Sequence, residues 1–469
     1  LQHTNPGPRS KRREQRGWYF YDWANSSFYT SAITVFGALY MTAVAEADAR
    51  TNHALNGSTP CRADGTSNTL VHCDISLFGV HFPAGSLWGY LLAAATILQV
   101  LLLPIVGALA DRTQHKKGML GVAAAVGAVA TSLLVLVTGT NWELGLALYI
   151  IATVSWAASV IVYYSFLQDI ATSDERDAVS TRGWAIGYLG GGLALALQLA
   201  FYLGRDAFGI SESTAVRICL LSTGVWWAVF TIIPLRTLPQ PRAAPGAHGN
   251  TGTSILTAGF KELVATIRSA RRVPLTLAFL GVYLIYADGV ATVVGVSAQY
   301  GKEELLFSND VLITTILVIQ FVAYVGATLV GMLARRFGAK RTILGTLVVW
   351  TLVLVSAYFV EAGQQLQFYG LAAGIGLVLG GTPALSRSLY SQLIPAGKEA
   401  QYYSLYKISE RGTAWVGPLM FGAVGQMTGS FRYAIIALVV FFVVGFVLLA
   451  LLPVRRAIRA SGNPEPAVV

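Results

Sequence analysis

Charge is what this chain has least of. Asp, Glu, Lys and Arg together make up 12% of its 469 residues, about half the share of a typical soluble domain. Water could not dissolve the surface left when 54% of the residues are hydrophobic. Cysteine (three) and histidine (six) are also sparse. No two histidines stand at metal-ligand spacing, so no metal site is expected. His-Glu-x-x-His, a Walker phosphate loop and a Gly-x-Ser-x-Gly elbow are all missing, which argues against a membrane-embedded enzyme, and no cofactor is expected. The apolar runs do not alternate with period two, which excludes a membrane β-barrel.

What is present is a series of long apolar runs. A spanning helix needs roughly 20 apolar residues, and twelve candidates occur, near 18–43, 87–110, 118–139, 143–167, 183–204, 214–235, 274–298, 309–334, 342–360, 366–387, 403–427 and 432–453. The expected fold is therefore all-α and integral to a membrane. Its expected parts are a basic tail (1–17), a six-helix bundle (18–235) with an external loop (46–85), a linker (236–273), a second six-helix bundle (274–453) and a tail (454–469). Within the linker, 254–272 has Leu256, Phe260, Leu263, Val264 and Ile267 opposite Lys261, Arg268, Arg271 and Arg272, the pattern of a helix lying on a membrane surface.

The net charge of +10 does not point to nucleic acid, because alternate loops hold nearly all of it. All but six of the 33 Lys and Arg residues fall on one side of a twelve-span arrangement, the exceptions being Arg50, Arg62, Arg205, Arg217, Lys302 and Arg432. The positive-inside rule then puts both termini in the cytoplasm of a cell whose cytoplasmic membrane holds the protein. No cleavable leader is expected, since the first apolar run is too long for one.

A short polar stretch occurs twice, as Gly107-Ala-Leu-Ala-Asp111-Arg112-Thr-Gln-His-Lys116-Lys117 and Gly331-Met-Leu-Ala-Arg335-Arg336-Phe-Gly-Ala-Lys340-Arg341, in an ungapped register of 224 residues. The same shift pairs Gln168 with Gln392, Ile170 with Ile394, Glu175 with Glu399 and Ser180 with Ser404. Two halves repeat one plan, as in many transporters.

The first copy resembles the signature loop between spans 2 and 3 of the major facilitator superfamily. It keeps Gly107, Asp111, Arg112, Lys116 and Lys117, with Gln114 in place of a family glycine; the second keeps Gly338 and has Arg335 where the acid stands. A sharper match is Trp18-Tyr-Phe-Tyr21-Asp22-Trp23-Ala-Asn25-Ser26 together with Leu405-Tyr-Lys-Ile-Ser-Glu410-Arg411-Gly412-Thr-Ala-Trp415-Val-Gly417-Pro418. These stretches resemble the bacterial relatives of the autophagy-related vacuolar amino-acid effluxers. The resemblance implies twelve transmembrane helices in two pseudo-symmetric six-helix bundles that rock about a central site, with amino acids or similar small zwitterions as solute. It also implies a gating latch at Gly107, Asp111, Arg112, Lys116 and Lys117, echoed by Arg335 and Arg336, that holds the cytoplasmic side shut.

The candidate site residues are the polar groups that lipid would reject. Asp22, Asn25, Ser26 and Tyr29 recur at i, i+3, i+4 and i+7 and share one helix face. Asp288 lies 14 residues past Pro274, roughly 21 Å along its helix at 1.5 Å per residue, with Tyr286 beside it and Thr292 a turn on. In the eleventh run Lys407, Glu410 and Arg411 share a face, with Trp415 a turn beyond. Asp22, Asn25 and Tyr29 are expected to face Asp288, with Glu410 and Arg411 below. Arg387 is expected only to close the tenth helix at the cytoplasmic side. Cys61 and Cys73 share the external loop and are read as a disulfide, two free thiols being the alternative.

The leading reading is a secondary active transporter for a small polar solute working by alternating access, with proton coupling through Asp288 and Glu410. A membrane channel or receptor is the alternative. The expected partners are the solute, protons and membrane lipid, and a monomer is expected.

Overall fold

The computed structural model describes residues 8–52, 55, 73–84, 87–112, 115–239, 273–307, 309–395, 397–428 and 430–468. At Asp111, Arg112 and Arg411, among others, the helix is described and the side chain is not. The expected surface helix at 254–272 and Cys61 of the expected disulfide both lie outside the described residues.

Span 1 is continuous through α1 (Pro8–Ser27), a π-helical stretch at Phe28–Gly37 and α2 (Ala38–Thr51). A two-stranded antiparallel hairpin follows, β1 (Asp74–Leu77) and β2 (Val80–Pro83), with Ile75 opposite Phe82. Spans 2 to 6 are α3 (Leu87–Arg112), α4 (Lys116–Leu133), α5 (Trp142–Ser165) with its short continuation α6 (Leu167–Ile170), α7 (Arg176–Leu203) and α8 (Glu212–Thr237). Spans 7 to 9 are α9 (Pro274–Gln299), α10 (Asn309–Phe337) and α11 (Ala339–Tyr358). Each of the last three spans is broken: α12 (Gln365–Leu379) with α13 (Gly381–Gln392), α14 (Glu399–Thr413) with α15 (Val416–Thr428), and α16 (Phe431–Ala437) with α17 (Val439–Leu451). A short helix, α18 (Val454–Ala460), ends the order.

Eleven of these helical segments are long and apolar enough to cross a membrane. Span 11 falls short because it is split into helices of 15 and 13 residues, the apolar part being Val416–Gly425 of α15. With it the architecture is all-α, twelve helices in two six-helix bundles.

The duplication is visible in how the halves meet. Gly107 of span 2 lies against span 11, where a Cβ would stand 2.7 Å from the Ala400 carbonyl oxygen and 3.1 Å from the Ser404 side chain. Gly331, its repeat in span 8, lies against span 5, where a Cβ would stand 2.3 Å from Thr181 Oγ1. Ser180 and Ser404 are themselves repeat partners, so the glycine of each half meets the polar stretch of the other. Small residues allow such backbone approach. Around these contacts Gln168 Nε2 and Arg176 Nη1 both donate to the Ser391 carbonyl, at 2.9 and 3.2 Å, and Ser180 Oγ donates to that of Ala384 at 2.7 Å. At this end of the bundle, which carries the duplicated loops and is here called the basic end, the two halves are bonded to each other.

Three features depart from the expected parts. Helix α1 begins at Pro8, so most of the segment read as a tail is helical; Lys, Arg, Gln and Glu are good helix formers, but they hide such a helix from a search for apolar runs. The external loop opens only after Thr51 and contains the hairpin, whose two-residue turn has positive φ at both Phe78 (52°) and Gly79 (83°), the twist a tight hairpin needs. Cys73 is buried at its base, where its carbonyl accepts the Ala84 N–H at 2.7 Å. The C-terminal segment is also docked: the Asn463 amide donates to the carbonyls of Gln392 and Ile394, and the Ala467 N–H donates to Asp174 Oδ1 in the other half.

Candidate solute site between the halves

The polar residues of span 1 are placed by its neighbours. Ser26 packs on span 5, where a Cβ on Gly187 would lie 2.9 Å from its Oγ. This is close helix packing. Asn25 is turned toward span 4: its amide donates to the Tyr21 carbonyl at 2.6 Å while its oxygen accepts Trp156 Nε1 at 3.1 Å. Tyr29 is 46% exposed and stacks on the same Trp156, ring centroids 5.5 Å apart.

Asp22 does not face Asp288. Its Oδ2 accepts the Tyr163 hydroxyl at 2.6 Å and lies 3.6 Å from Nη1 of Arg387, a residue of the other half. The Arg387 side chain is 1% exposed. Its Nε donates to Ser180 Oγ and its Nη2 to the Ser180 carbonyl, both at 2.9 Å. Around it lie the rings of Trp18 and Tyr164, each 4.7 Å from the guanidinium carbon, with Trp184 at 5.6 Å. Only a planar fork can bond at its edge and stack on its faces in this way. The expectation that Arg387 merely ends its helix is corrected: span 10 runs on to Gln392 and carries the arginine into the seam.

Across the same seam, span 11 contributes a second ion pair. Lys407 Nζ lies 2.6 Å from Glu410 Oε2, and Glu410 Oε1 accepts the Tyr283 hydroxyl at 2.5 Å. Lys407 also stands over the rings of Tyr164 (5.3 Å) and Trp156 (6.0 Å) of the N-terminal half. The Lys407 and Glu410 side chains, 13% and 28% exposed, are more open than Arg387. Tyr29, Trp156, Lys407 and Glu410 thus stand in a row of successive contacts that brings together one cation, one carboxylate and two aromatic rings. Tyr283→Phe, which removes the hydroxyl from Glu410, is expected to destabilise the protein by about 1.5–3 kcal/mol, the value of a hydrogen bond to a charged group; thermal unfolding in detergent would measure it.

The remaining expected site residues lie elsewhere. Tyr286 is buried with its hydroxyl 2.7 Å from Ser386 Oγ, its ring edge-on to Tyr283. Asp288 is buried beside the break in span 11, where Oδ2 accepts the Gly417 N–H at 3.0 Å. Trp415 is 62% exposed, and the Arg411 side chain lies outside the described residues.

Of the expected latch, Gly107 sits at the contact between halves, and the side chains of Asp111 and Arg112 lie outside the described residues. Lys116 pairs with Asp169 at 3.9 Å and Lys117 donates to the Leu238 carbonyl at 3.3 Å, both within their own half. Lys340, the repeat partner of Lys116, makes in the second half the kind of contact that Lys117 makes in the first, donating to the carbonyls of Ala450 and Leu452. Lys117 and Lys340 thus cap the last carbonyls of the sixth and twelfth spans, where a cation is favoured. Arg335 and Arg336 are exposed.

A family model described as "Vacuole effluxer Atg22 like" matches residues 10–462. The chain belongs to that family. It is 29% identical over 452 residues to the MFS-type transporter YxiO of Bacillus subtilis (strain 168), covering 96% of this chain and 97% of that one. It is 26% identical to autophagy-related protein 22-1 of Aspergillus niger, covering 96% and 90%. The fold is that of the human organic anion transporter MFSD10 (TM-score 0.67, 16% identity, 94% of this chain and 100% of that one). It is shared by the proton:xylose symporter XylE (TM-score 0.64, 12% identity, 95% and 96%). This is an integral membrane transporter of the major facilitator superfamily, and neither family nor fold is that of an enzyme.

Several residues of the seam were not among the expected ones. Trp156 sits well inside the fourth span, away from the interfacial belts where aromatics usually gather, and that placement was the available signal; Tyr163 and Tyr164 close the helix Trp142–Ser165 and carried no such signal.

Proposed function

We propose that this Atg22-like transporter moves a small zwitterion, an amino acid or a close analogue, across the cytoplasmic membrane by alternating access, with protons as the coupling ion at Glu410. The observation that carries the reading is the row of contacts through Tyr29, Trp156, Lys407 and Glu410. A solute carboxylate is matched by Lys407, and a solute ammonium by Glu410 and the faces of the two rings. The Asp22–Arg387 pair, more deeply buried and already bonded to Ser180, joins the halves when the basic end, taken as cytoplasmic, is shut. The gating latch is read in the same terms, with Gly107 and Gly331 as the surfaces that meet and part.

The test is a thermal-shift screen of the purified protein against amino acids, short peptides, sugars and nucleosides. A ligand that binds the folded state adds about 2.7 kcal/mol of stability at a hundred times its Kd. Amino acids are expected to raise the midpoint, and the rise to vanish in Lys407→Ala. A response to sugars or nucleosides alone would reject the zwitterion. In proteoliposomes, Glu410→Gln is expected to weaken solute counterflow, since Glu410 also matches the solute ammonium, and to abolish the stimulation of the remaining uptake by a pH gradient; residual uptake that the gradient still drives would remove Glu410 from the coupling. Saturable counterflow in the wild type also separates a carrier from a channel.

A further inference from the structure

We propose that the break in span 11 is a binding site for a monovalent metal cation of sodium's class, held by Asp288, Thr292 and the backbone freed around Gly417. Asp288 and Thr292 stand one turn apart on span 7 and are 5% and 2% exposed. Oδ2 of Asp288 is occupied by the Gly417 N–H. Its Oδ1 and the Thr292 hydroxyl have no hydrogen-bond partner among the described residues, and no ion pair involves Asp288 among them. Buried polar groups are nearly always satisfied, so two bare oxygens on one helix face call for an occupant. A lone buried carboxylate is costly unless a cation or a proton neutralises it.

The facing backbone supplies more oxygen. In an unbroken helix the Gly417 N–H would serve the carbonyl four residues back; here it serves Asp288 instead. The next residue, Pro418, has no N–H for the Ala414 carbonyl. Carbonyls are therefore released at the C-terminal, negative end of α14. Such unwound carbonyls in broken transmembrane helices are known to coordinate coupling ions. Gly417 is needed for this arrangement, because a Cβ there would lie 1.8 Å from Thr292 Oγ1. The set of carboxylate, hydroxyl and carbonyl also selects the ion. A proton would use one oxygen and leave the hydroxyl bare, whereas calcium usually takes six to eight oxygens with several carboxylates. One negative charge among neutral oxygens balances one monovalent cation.

The binding step does not depend on the zwitterion reading, which it extends only by adding, beside the proton at Glu410, a second ion that accompanies the solute. The experiment is thermal unfolding of the purified full chain in NaCl, LiCl, KCl or choline chloride at constant ionic strength. NaCl is expected to raise the midpoint saturably over choline chloride. Asp288→Asn is expected to abolish the rise and Thr292→Val to weaken half-saturation at least tenfold, while Asp22→Asn, remote from the break, keeps it. Identical midpoints in all four salts, or a sodium effect that survives Asp288→Asn, would overturn the site. Stabilisation by acid alone would assign the position to a proton and overturn it too. A sodium shift with no solute response in the screen would sink the zwitterion reading and leave this site standing.

Discussion

Arg387→Gln lowers the stability of the purified protein by about 3–5 kcal/mol, the usual effect of removing one member of a buried ion pair and leaving its partner uncompensated. The variant strands the Asp22 carboxylate and removes two hydrogen bonds to Ser180. It also vacates the stack between Trp18 and Tyr164. Arg387→Lys is expected to lose most of the same stability, since an ammonium cannot bond at its edge and stack on its faces at once. Because part of the loss is the stranded charge, Asp22→Asn added to Arg387→Gln is expected to be more stable than Arg387→Gln alone, a negative interaction term in a double-mutant cycle. Thermal unfolding of the four proteins measures it. Strictly additive losses would mean that Asp22 and Arg387 are not coupled across the halves.

The membrane character and the two-fold plan were legible because both depend on composition and period, which survive without coordinates. Twelve apolar runs and a constant shift of 224 residues are properties of the string. Which polar residues meet was much less legible. Asp22 and Asn25 share a helix face by spacing alone, but that face sees span 4 and Arg387, not Asp288, and nothing in the local pattern says which helix lies opposite. Arg387 was hidden by where its span was thought to stop. Ending the tenth helix at that residue turns a buried seam arginine into an ordinary loop cation, whereas the helix continues to Gln392. The break in span 11 was written in Gly417-Pro418, but its meaning depends on Asp288 reaching it from a helix about 130 residues away in sequence. The hairpin of the external loop, short and twisted by two residues of positive φ, leaves no apolar run long enough to notice.

Gly107→Val and Gly331→Val are expected to leave the protein folded and to cut transport by an order of magnitude or more. At each position the added Cβ meets its neighbour at less than contact distance in this structure, 2.7 Å from the Ala400 carbonyl oxygen for Gly107 and 2.3 Å from Thr181 Oγ1 for Gly331, and in the proposed alternating-access cycle those contacts belong to the state closed at the basic end. The carbonyl belongs to a helix backbone and cannot rotate aside, so Gly107 is the more sensitive of the two. Overpacking of this kind costs about 1–3 kcal/mol, and in a rocking carrier the cost falls on one state alone. A penalty confined to one state shifts the equilibrium by roughly 5- to 150-fold, tenfold for each 1.4 kcal/mol. The shift has a direction: spans 2 and 11 part, and amides near Ala400 and Ser404 lose protection. Hydrogen exchange resolved to that segment is expected to quicken in Gly107→Val while the midpoint of thermal unfolding stays near the wild-type value. Wild-type exchange with wild-type transport would show that the two halves never close on Gly107, and the latch would then have to reside elsewhere in the duplicated loops.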